Sequence, residues 1–409
     1  MDAAGRRELI EKLCAFEGRW PGTDAERRAA NWLAGRLREM GRRAAIEPTY
    51  VQPEYSLAIA LHVALAIAGS LVALASGPIG FAMVLLAAAS LYLDQSTRFY
   101  LLRRLLFRRA SQNVVSPGSS PDAPARLVLT AHYDAAKTGY VFGPRSTRLA
   151  RRLPEALRVP LGPLRLIFWA GIVPLLLASG LRMAGLEARW LDVVQLAPIV
   201  LLLVSFALLI DIALSAVVPG AYDNASGVAA VLSVAAALDR EGPENLDVWV
   251  VLPGAEECSA QGMARYLGAH RKEIDRQRTV FVNLDSVSFG TVHYLEAEGA
   301  IVSYAMDRRL IQLCEAVAAA DESYAARPIR IPFHTDALPA RARGFRAISL
   351  LGVEDGVGPP YYHTPDDTPD KLDEEAMTRA VAFTVDLVHA LDRDIGRAGT
   401  TAPEPAAQA

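Results

Sequence analysis

Cysteine is scarce: Cys14, Cys258 and Cys314 are the only three in 409 residues. They are far apart and odd in number, which excludes a scaffold built on disulfides. Basic charge is not in excess either. Lys and Arg total 42 against 45 Asp and Glu, a net charge of −3, so the chain carries no global footprint for nucleic acid. Charged residues make up only 21% and apolar residues 52%, the reverse of what a disordered chain needs. A mean hydropathy of +0.20 is high for a soluble enzyme. The first residues, MDAAGRRELIEKLCAFEGRW, hold no apolar core, which predicts no cleaved signal peptide. The apolar excess lies further inside.

From Ser56 to Leu93 there is no Asp, Glu, Lys or Arg, and Ser76-Gly77-Pro78 breaks the run near its middle. A helix needs about 20 residues to cross the hydrocarbon layer, so this stretch reads as a transmembrane hairpin with a short second arm. Leu166–Leu181 and Val193–Ile210 are also free of charge and read as a second hairpin. The alternative is a set of buried core helices, which two such pairs with short connections argue against.

Arginines cluster beside the hairpin bases, at Arg98, Arg103, Arg104, Arg108 and Arg109, then at Arg145, Arg148, Arg151, Arg152, Arg158 and Arg165. The opposite turns hold only Arg182 and Arg189. The positive-inside rule then predicts an integral membrane protein with about four spans, its termini and the rest of the chain on the cytoplasmic side. Asp211, at the end of the last apolar run, is a functional candidate as an intramembrane acid, or else an interfacial residue.

The expected organisation is one domain interrupted twice: 1–54, a hairpin at 55–95, a basic stretch at 96–160, a hairpin at 161–218, the rest of the domain at 219–395, and a disordered tail at 396–409. Outside the hairpins, β-rich runs at Arg126–Thr130, Leu246–Leu252, Thr279–Leu284, Thr291–Glu296 and Arg346–Leu351 alternate with helical patterns. Those patterns cover Asp24–Met40, Ser226–Asp239, Ser259–His270, Val302–Ala320 and Asp373–Asp392. The alternation predicts an α/β fold, a mainly parallel or mixed sheet flanked by helices, with two inserted transmembrane helical hairpins.

Five acid- and histidine-bearing segments fall where strands end or a helix begins: Ala131-His132-Tyr133-Asp134, Asp223-Asn224-Ala225-Ser226-Gly227, Gly254-Ala255-Glu256-Glu257, Asp285-Ser286, and Tyr362-His363-Thr364-Pro365-Asp366-Asp367. Ligands of open α/β sheets bind beyond the carboxyl ends of the strands. Each segment alone has a plain reading, as a surface histidine, a helix cap or a solvated loop. Together they offer imidazoles and carboxylates without thiolates, a set suited to Zn²⁺, Mn²⁺ or Co²⁺. The adjacent Glu256 and Glu257 could divide ligation and proton transfer, and Asp134 could orient His132.

These motifs, in this order, resemble the family-28 metallopeptidases of clan MH, the co-catalytic di-zinc aminopeptidases. Arg19-Trp20-Pro21-Gly22 and the helix after it are similar to that family's N-terminal region. The resemblance implies two Zn²⁺ ions bridged by Asp223, with His132 and Asp285 on one and Glu257 and His363 on the other. It implies Glu256 as the general base toward a shared water, and Asp134 as the residue orienting His132. In HTDALPARARGF the family's usual Ser-Asp-His segment is altered, since Ala337 stands at the third position. His334, beside Thr335-Asp336, is expected near the cleft.

The interval between the first two motifs is long and contains the second hairpin, which sets this chain apart from secreted members. The expected function is that of a membrane-anchored di-zinc exopeptidase, an aminopeptidase acting on peptides, with the lipid bilayer as its other partner and no nucleic acid. The alternatives are a glutaminyl-cyclase-like acyltransferase on one zinc and a non-catalytic binding or assembly module of the same fold.

Overall fold

The computed structural model describes residues 1–143, 146, 162–354 and 361–400. Helix α1 (Ala3–Cys14) starts on Asp2, whose carboxylate accepts the Gly5 amide, and α2 (Asp24–Glu39) starts on Thr23, which accepts the Glu26 amide. Such side-chain caps satisfy amides that a helix start leaves unpaired. After β1 (Ala45–Val51) come two apolar helices, α3 (Tyr55–Val72) and α4 (Gly77–Gln95), then β2 (Arg109–Ser116) and β3 (Ala125–Thr130). The second apolar pair is α5 (Pro163–Met183) and α6 (Arg189–Leu214). The rest of the chain forms α7 (Gly227–Glu241), β4 (Leu246–Leu252), α8 (Gln261–Ala269), β5 (Thr279–Asp285), β6 (Thr291–Glu298), β7 (Tyr304–Ala305), α9 (Arg308–Ala320), β8 (Arg327–Arg330), α10 (Ala337–Ala342), β9 (Arg346–Val353) and α11 (Glu374–Thr400).

The strands make one mixed sheet in the order β1-β2-β4-β3-β5-β9-β6-β7, with β8 on β6. Its centre, β4-β3-β5-β9, is parallel; β1-β2-β4 on one flank and β9-β6-β7 on the other are antiparallel, and β8 runs parallel to β6. The parallel strands are almost wholly buried, as strands covered on both faces must be, with helices packed on each side. All five β-rich runs of the sequence are strands here. β1 and β2 escaped notice because β1 contains Pro48 and β2 turns polar residues inward: Ser111, Gln112 and Asn113 are buried. The helix expected from Val302 begins only at Arg308, because Asp307 caps it by accepting the amides of Arg309 and Leu310. Helix α11 continues through Gly396 to Thr400, past the expected start of a disordered tail; residues 401–409 lie outside the described residues, as do Arg145, Arg148, Arg151, Arg152 and Arg158.

The four apolar helices form one bundle, α3 packing on α4 and α6, and α5 on α4 and α6. At the α3–α4 contact, a Cβ on Gly80 would lie 2.4 Å from the Ala73 backbone, so glycine is what lets the arms approach. Polar pairs face inward: His62 with Ser90 at 2.8 Å, and Gln195 donating to Ser70 at 2.7 Å. Large apolar residues face outward, among them Leu177, Val193, Leu196, Leu203 and Val204. This is the reverse of a water-soluble bundle.

Among the described residues, five helices are long and apolar enough to cross a membrane. The fifth, Ala221–Glu241, differs in kind. Its apolar window is 89% buried inside the α/β domain, whereas that of α6 is 22% buried. Composition alone would not separate the two.

Candidate metal centre

Every motif segment arrives at the carboxyl end of the parallel strands. His132 and Asp134 follow β3, Glu256 and Glu257 follow β4, Asp285 ends β5, and His363 lies beyond β9. Asp223 sits in a tight π-type turn, Ala221–Ser226, that leads into α7. The seven side chains that the sequence singled out are brought together, and all are buried.

The Asp223 carboxylate lies between the imidazoles. Its Oδ1 is 3.2 Å from His132 Nε2 and its Oδ2 is 3.3 Å from His363 Nε2. Asp285 stands on the His132 side, 3.9 Å from Nε2, and Glu257 on the His363 side, 3.3 Å from Nε2. Glu256 Oε2 is 4.0 Å from His132 Nε2. Ligand atoms of His132, Asp223 and Glu257 all lie within 4.8 Å of one another.

Buried polar neighbours hold this arrangement. Asp134 is 3.5 Å from His132 Nδ1, which is long for a hydrogen bond. Its stronger bonds go elsewhere, since its two oxygens accept the amides of Glu256 and Glu257 at 3.1 and 3.0 Å. Asp367 accepts the amides of Tyr222 and Asp223 at 2.6 and 3.2 Å. Asn224 accepts from Gly227 and Ser286 and donates to Leu284, tying the Asp223 turn to the end of β5. Arg19, buried at 1% exposure, donates to the carbonyls of Leu13, Tyr133, Pro219 and Gly220, joining the His132 segment to the Asp223 turn.

Sequence reading missed Asp367 and Asn224 because their work is done through backbone amides. Asp367 had a signal, as the second acid of YHTPDDT. Asp211, a candidate for intramembrane chemistry, instead accepts the Tyr140 amide at 2.6 Å. It thereby anchors a short turn whose Phe142 packs 4.6 Å from the His363 ring. His334 lines the cleft, where it was expected.

The electrostatics ask for a cation. Four carboxylates, Asp223, Glu256, Glu257 and Asp285, line a cleft of about 200 Å³. Among the described residues the only Lys or Arg in the wall, Arg330, is at the exposed rim and pairs with Glu296 at 2.8 Å. Burial pushes Asp285 up to about 7 and raises Glu256 and Glu257, a shift that a bound cation would oppose. Burial works the other way on the imidazoles. It is outweighed by Glu257 and Asp223 at His363, which rises to about 10, and by Asp134 and Asp223 at His132. Burial would raise Asp223 as well, but bonds from both imidazoles hold it below the usual carboxylate range. Glu257 Oε1 has no protein partner. Two imidazoles with several buried acids, an orphaned carboxylate oxygen and, among the described lining residues, no buried Lys or Arg fit divalent cations of the Zn²⁺ type.

Comparison with known proteins bears on the fold and the family. Residues 209–388 match the model of peptidase family M28, from the end of α6 through most of α11. No curated protein matches the sequence. Solved structures match the fold. A Zn-dependent exopeptidase from Parabacteroides distasonis is 13% identical, with 95% of this chain and 98% of that chain covered and a TM-score of 0.55. A leucine aminopeptidase precursor from Bacteroides thetaiotaomicron is 15% identical, with 95% and 97% covered and a TM-score of 0.54. A glutaminyl cyclase from the same organism is 13% identical, with the same coverage and a TM-score of 0.54. The fold is therefore the zinc-aminopeptidase-like one that exopeptidases and glutaminyl cyclases share, and its C-terminal stretch is similar to peptidase family M28.

Proposed function

We propose that the chain is a membrane-embedded metallopeptidase of family M28, an aminopeptidase that removes N-terminal residues from peptides with two Zn²⁺ ions. The observation that carries this reading is the Asp223 carboxylate, which offers one oxygen toward each imidazole. His132, Asp223 and Asp285 would hold one ion, and Asp223, Glu257 and His363 the other. Ions bound there supply Lewis acidity toward the scissile carbonyl and toward an attacking water.

The protein's own groups do the rest. Glu256, outside both proposed ligand sets, takes a proton from the water and returns it to the leaving amine. Asp134 fixes the backbone of the Glu256–Glu257 turn, so that ligand and base keep their spacing. Ile331, Phe333, Leu351 and Val353 line the cleft and favour an apolar side chain beside the scissile bond. A glutaminyl cyclase reading draws on the same fold, but Asp285 beside His132 completes a second ligand set, which favours hydrolysis. Membrane embedding is supported by the outward apolar face of the four-helix bundle, with its polar pairs turned inward.

Two measurements test the proposal. Full-length protein should stay in the membrane pellet after alkaline carbonate washing; release into the supernatant would refute membrane spanning. The detergent-solubilised protein should hydrolyse aminoacyl amides with apolar N-terminal residues, lose that activity to a chelator and regain it with Zn²⁺. Cyclisation of N-terminal glutamine without hydrolysis would replace the peptidase by a cyclase. Zn²⁺ binding with no turnover of either substrate class would leave a binding module.

A further inference from the structure

The Glu256–Glu257 turn is not a relaxed loop. Ala255, Ser259 and Ala260 all have left-handed backbones, with φ of 56°, 77° and 49°. Non-glycine residues persist there only when their surroundings over-determine them. On the inner side the restraint is Asp134, through the two glutamate amides. On the outer side it comes from the first apolar hairpin.

Arg103, in the short helical turn Leu102–Leu105 beyond α4, is completely buried. Its Nη1 donates to the Cys258 carbonyl at 2.9 Å and its Nη2 to Ser259 Oγ at 3.1 Å. The other edge of the guanidinium grips Asp94, near the end of α4, through Nε and Nη2 at 2.7 and 2.6 Å. The start of the hairpin reaches the same place. Gln52 and Gln261 bond to each other in both directions, at 3.1 and 2.8 Å, and Gln261 also donates to the Cys258 carbonyl at 3.0 Å. Tyr55, the first residue of α3, packs on the cluster of Val51, Ala255 and Cys258. Both roots of one hairpin thus close on the residues flanking the glutamate pair.

We propose that the first apolar hairpin is a positioning element of the metal centre, with Arg103 as the positioning residue and Asp94 as its counter-ion. This rests on reading Glu256 as base and Glu257 as metal ligand. The planar fork of an arginine reaches an acid, a backbone carbonyl and a serine hydroxyl at once, and a lysine cannot. A shift at the end of α4 therefore moves the turn, and displacements of about 1 Å at a catalytic group cost on the order of 100-fold in rate.

The test uses the full chain in detergent, with Arg103→Lys and Asp94→Asn, read by kcat, KM and the visible spectrum during Co²⁺ titration. Arg103→Lys should lower kcat by roughly 10- to 100-fold with KM within about threefold, and should weaken uptake of the second Co²⁺. Asp94→Asn should shift both in the same direction by less. A folded Arg103→Lys protein with unchanged kcat and titration overturns the proposal. If that variant does not fold, the double variant Asp94→Asn with Arg103→Gln removes both buried charges together and is held to the same outcomes. If the wild type binds Co²⁺ but cleaves nothing, the peptidase reading falls separately. The titration then decides, with weaker uptake in the variant supporting the latch and identical uptake refuting it. A wild type that neither cleaves nor binds Co²⁺ overturns both.

Discussion

Asp223→Asn is expected to abolish turnover and to remove metal together with it. The carboxylate offers equivalent oxygens to two sides, at 3.2 Å from His132 and 3.3 Å from His363. An amide keeps one acceptor and turns an NH₂ donor toward the other imidazole, where a cation cannot share it. The fold should survive, because this turn is held by groups that the substitution leaves alone. Asp367 keeps the Tyr222 and Asp223 amides, and Asn224 keeps Leu284, Gly227 and Ser286. The expected loss in kcat/KM is at least about 1000-fold, or roughly 4 kcal/mol of transition-state stabilisation. Metal content by elemental analysis should fall below that of the wild type. Two retained ions with activity within tenfold of wild type would show that Asp223 does not bridge.

Glu256→Gln should separate proton transfer from metal holding. Glutamine has the same shape, and Glu256 belongs to neither of the proposed ligand sets, so ions and substrate should bind nearly as before. What is lost is a group able to accept a proton, and general-base catalysis contributes about 10²- to 10⁴-fold. The expected outcome is a kcat reduced by at least about 100-fold, KM within a few-fold, and unchanged metal content. Glu257→Gln is the contrast, since it should lower metal content along with the rate. Equal rates for wild type and Glu256→Gln would mean that another group moves the proton.

The parts of the site legible from sequence were those whose side chains do chemistry at strand ends. His132, Asp223, Glu256, Glu257, Asp285 and His363 stand out because buried strand runs end in acids and histidines. The apolar helices were legible because the absence of charge over such lengths is itself a signal. Residues that act through the backbone were not. Asp367 and Asn224 are ordinary turn residues until their amide partners are known, and Arg19 reads as a surface charge until four carbonyls surround it. Arg103 was counted among the juxtamembrane arginines that set orientation, and nothing in its neighbours' identities distinguishes it from Arg104. Burial separates them: Arg103 is enclosed, and Arg104 lies exposed over the Phe99 ring. Strand β2 was missed for a related reason, because its inward-facing Ser111 and Gln112 satisfy Glu26 rather than fill an apolar core.

The burial of α7 bears on how such a chain is made. In the membrane-embedded chain proposed above, four spans would leave His132 and the later ligands on one face of the bilayer; a fifth would divide them, because every crossing reverses the side on which the next segment emerges. During synthesis α7 leaves the ribosome directly after α6 and before β4, β5 and β9 exist to cover it. Together with the turn before it, from Ala221, it is apolar enough to qualify for insertion. In the proposed chain the metal site could form only if this fifth apolar segment were withheld from the lipid, so the parity of crossings would determine whether His132 ever meets His363.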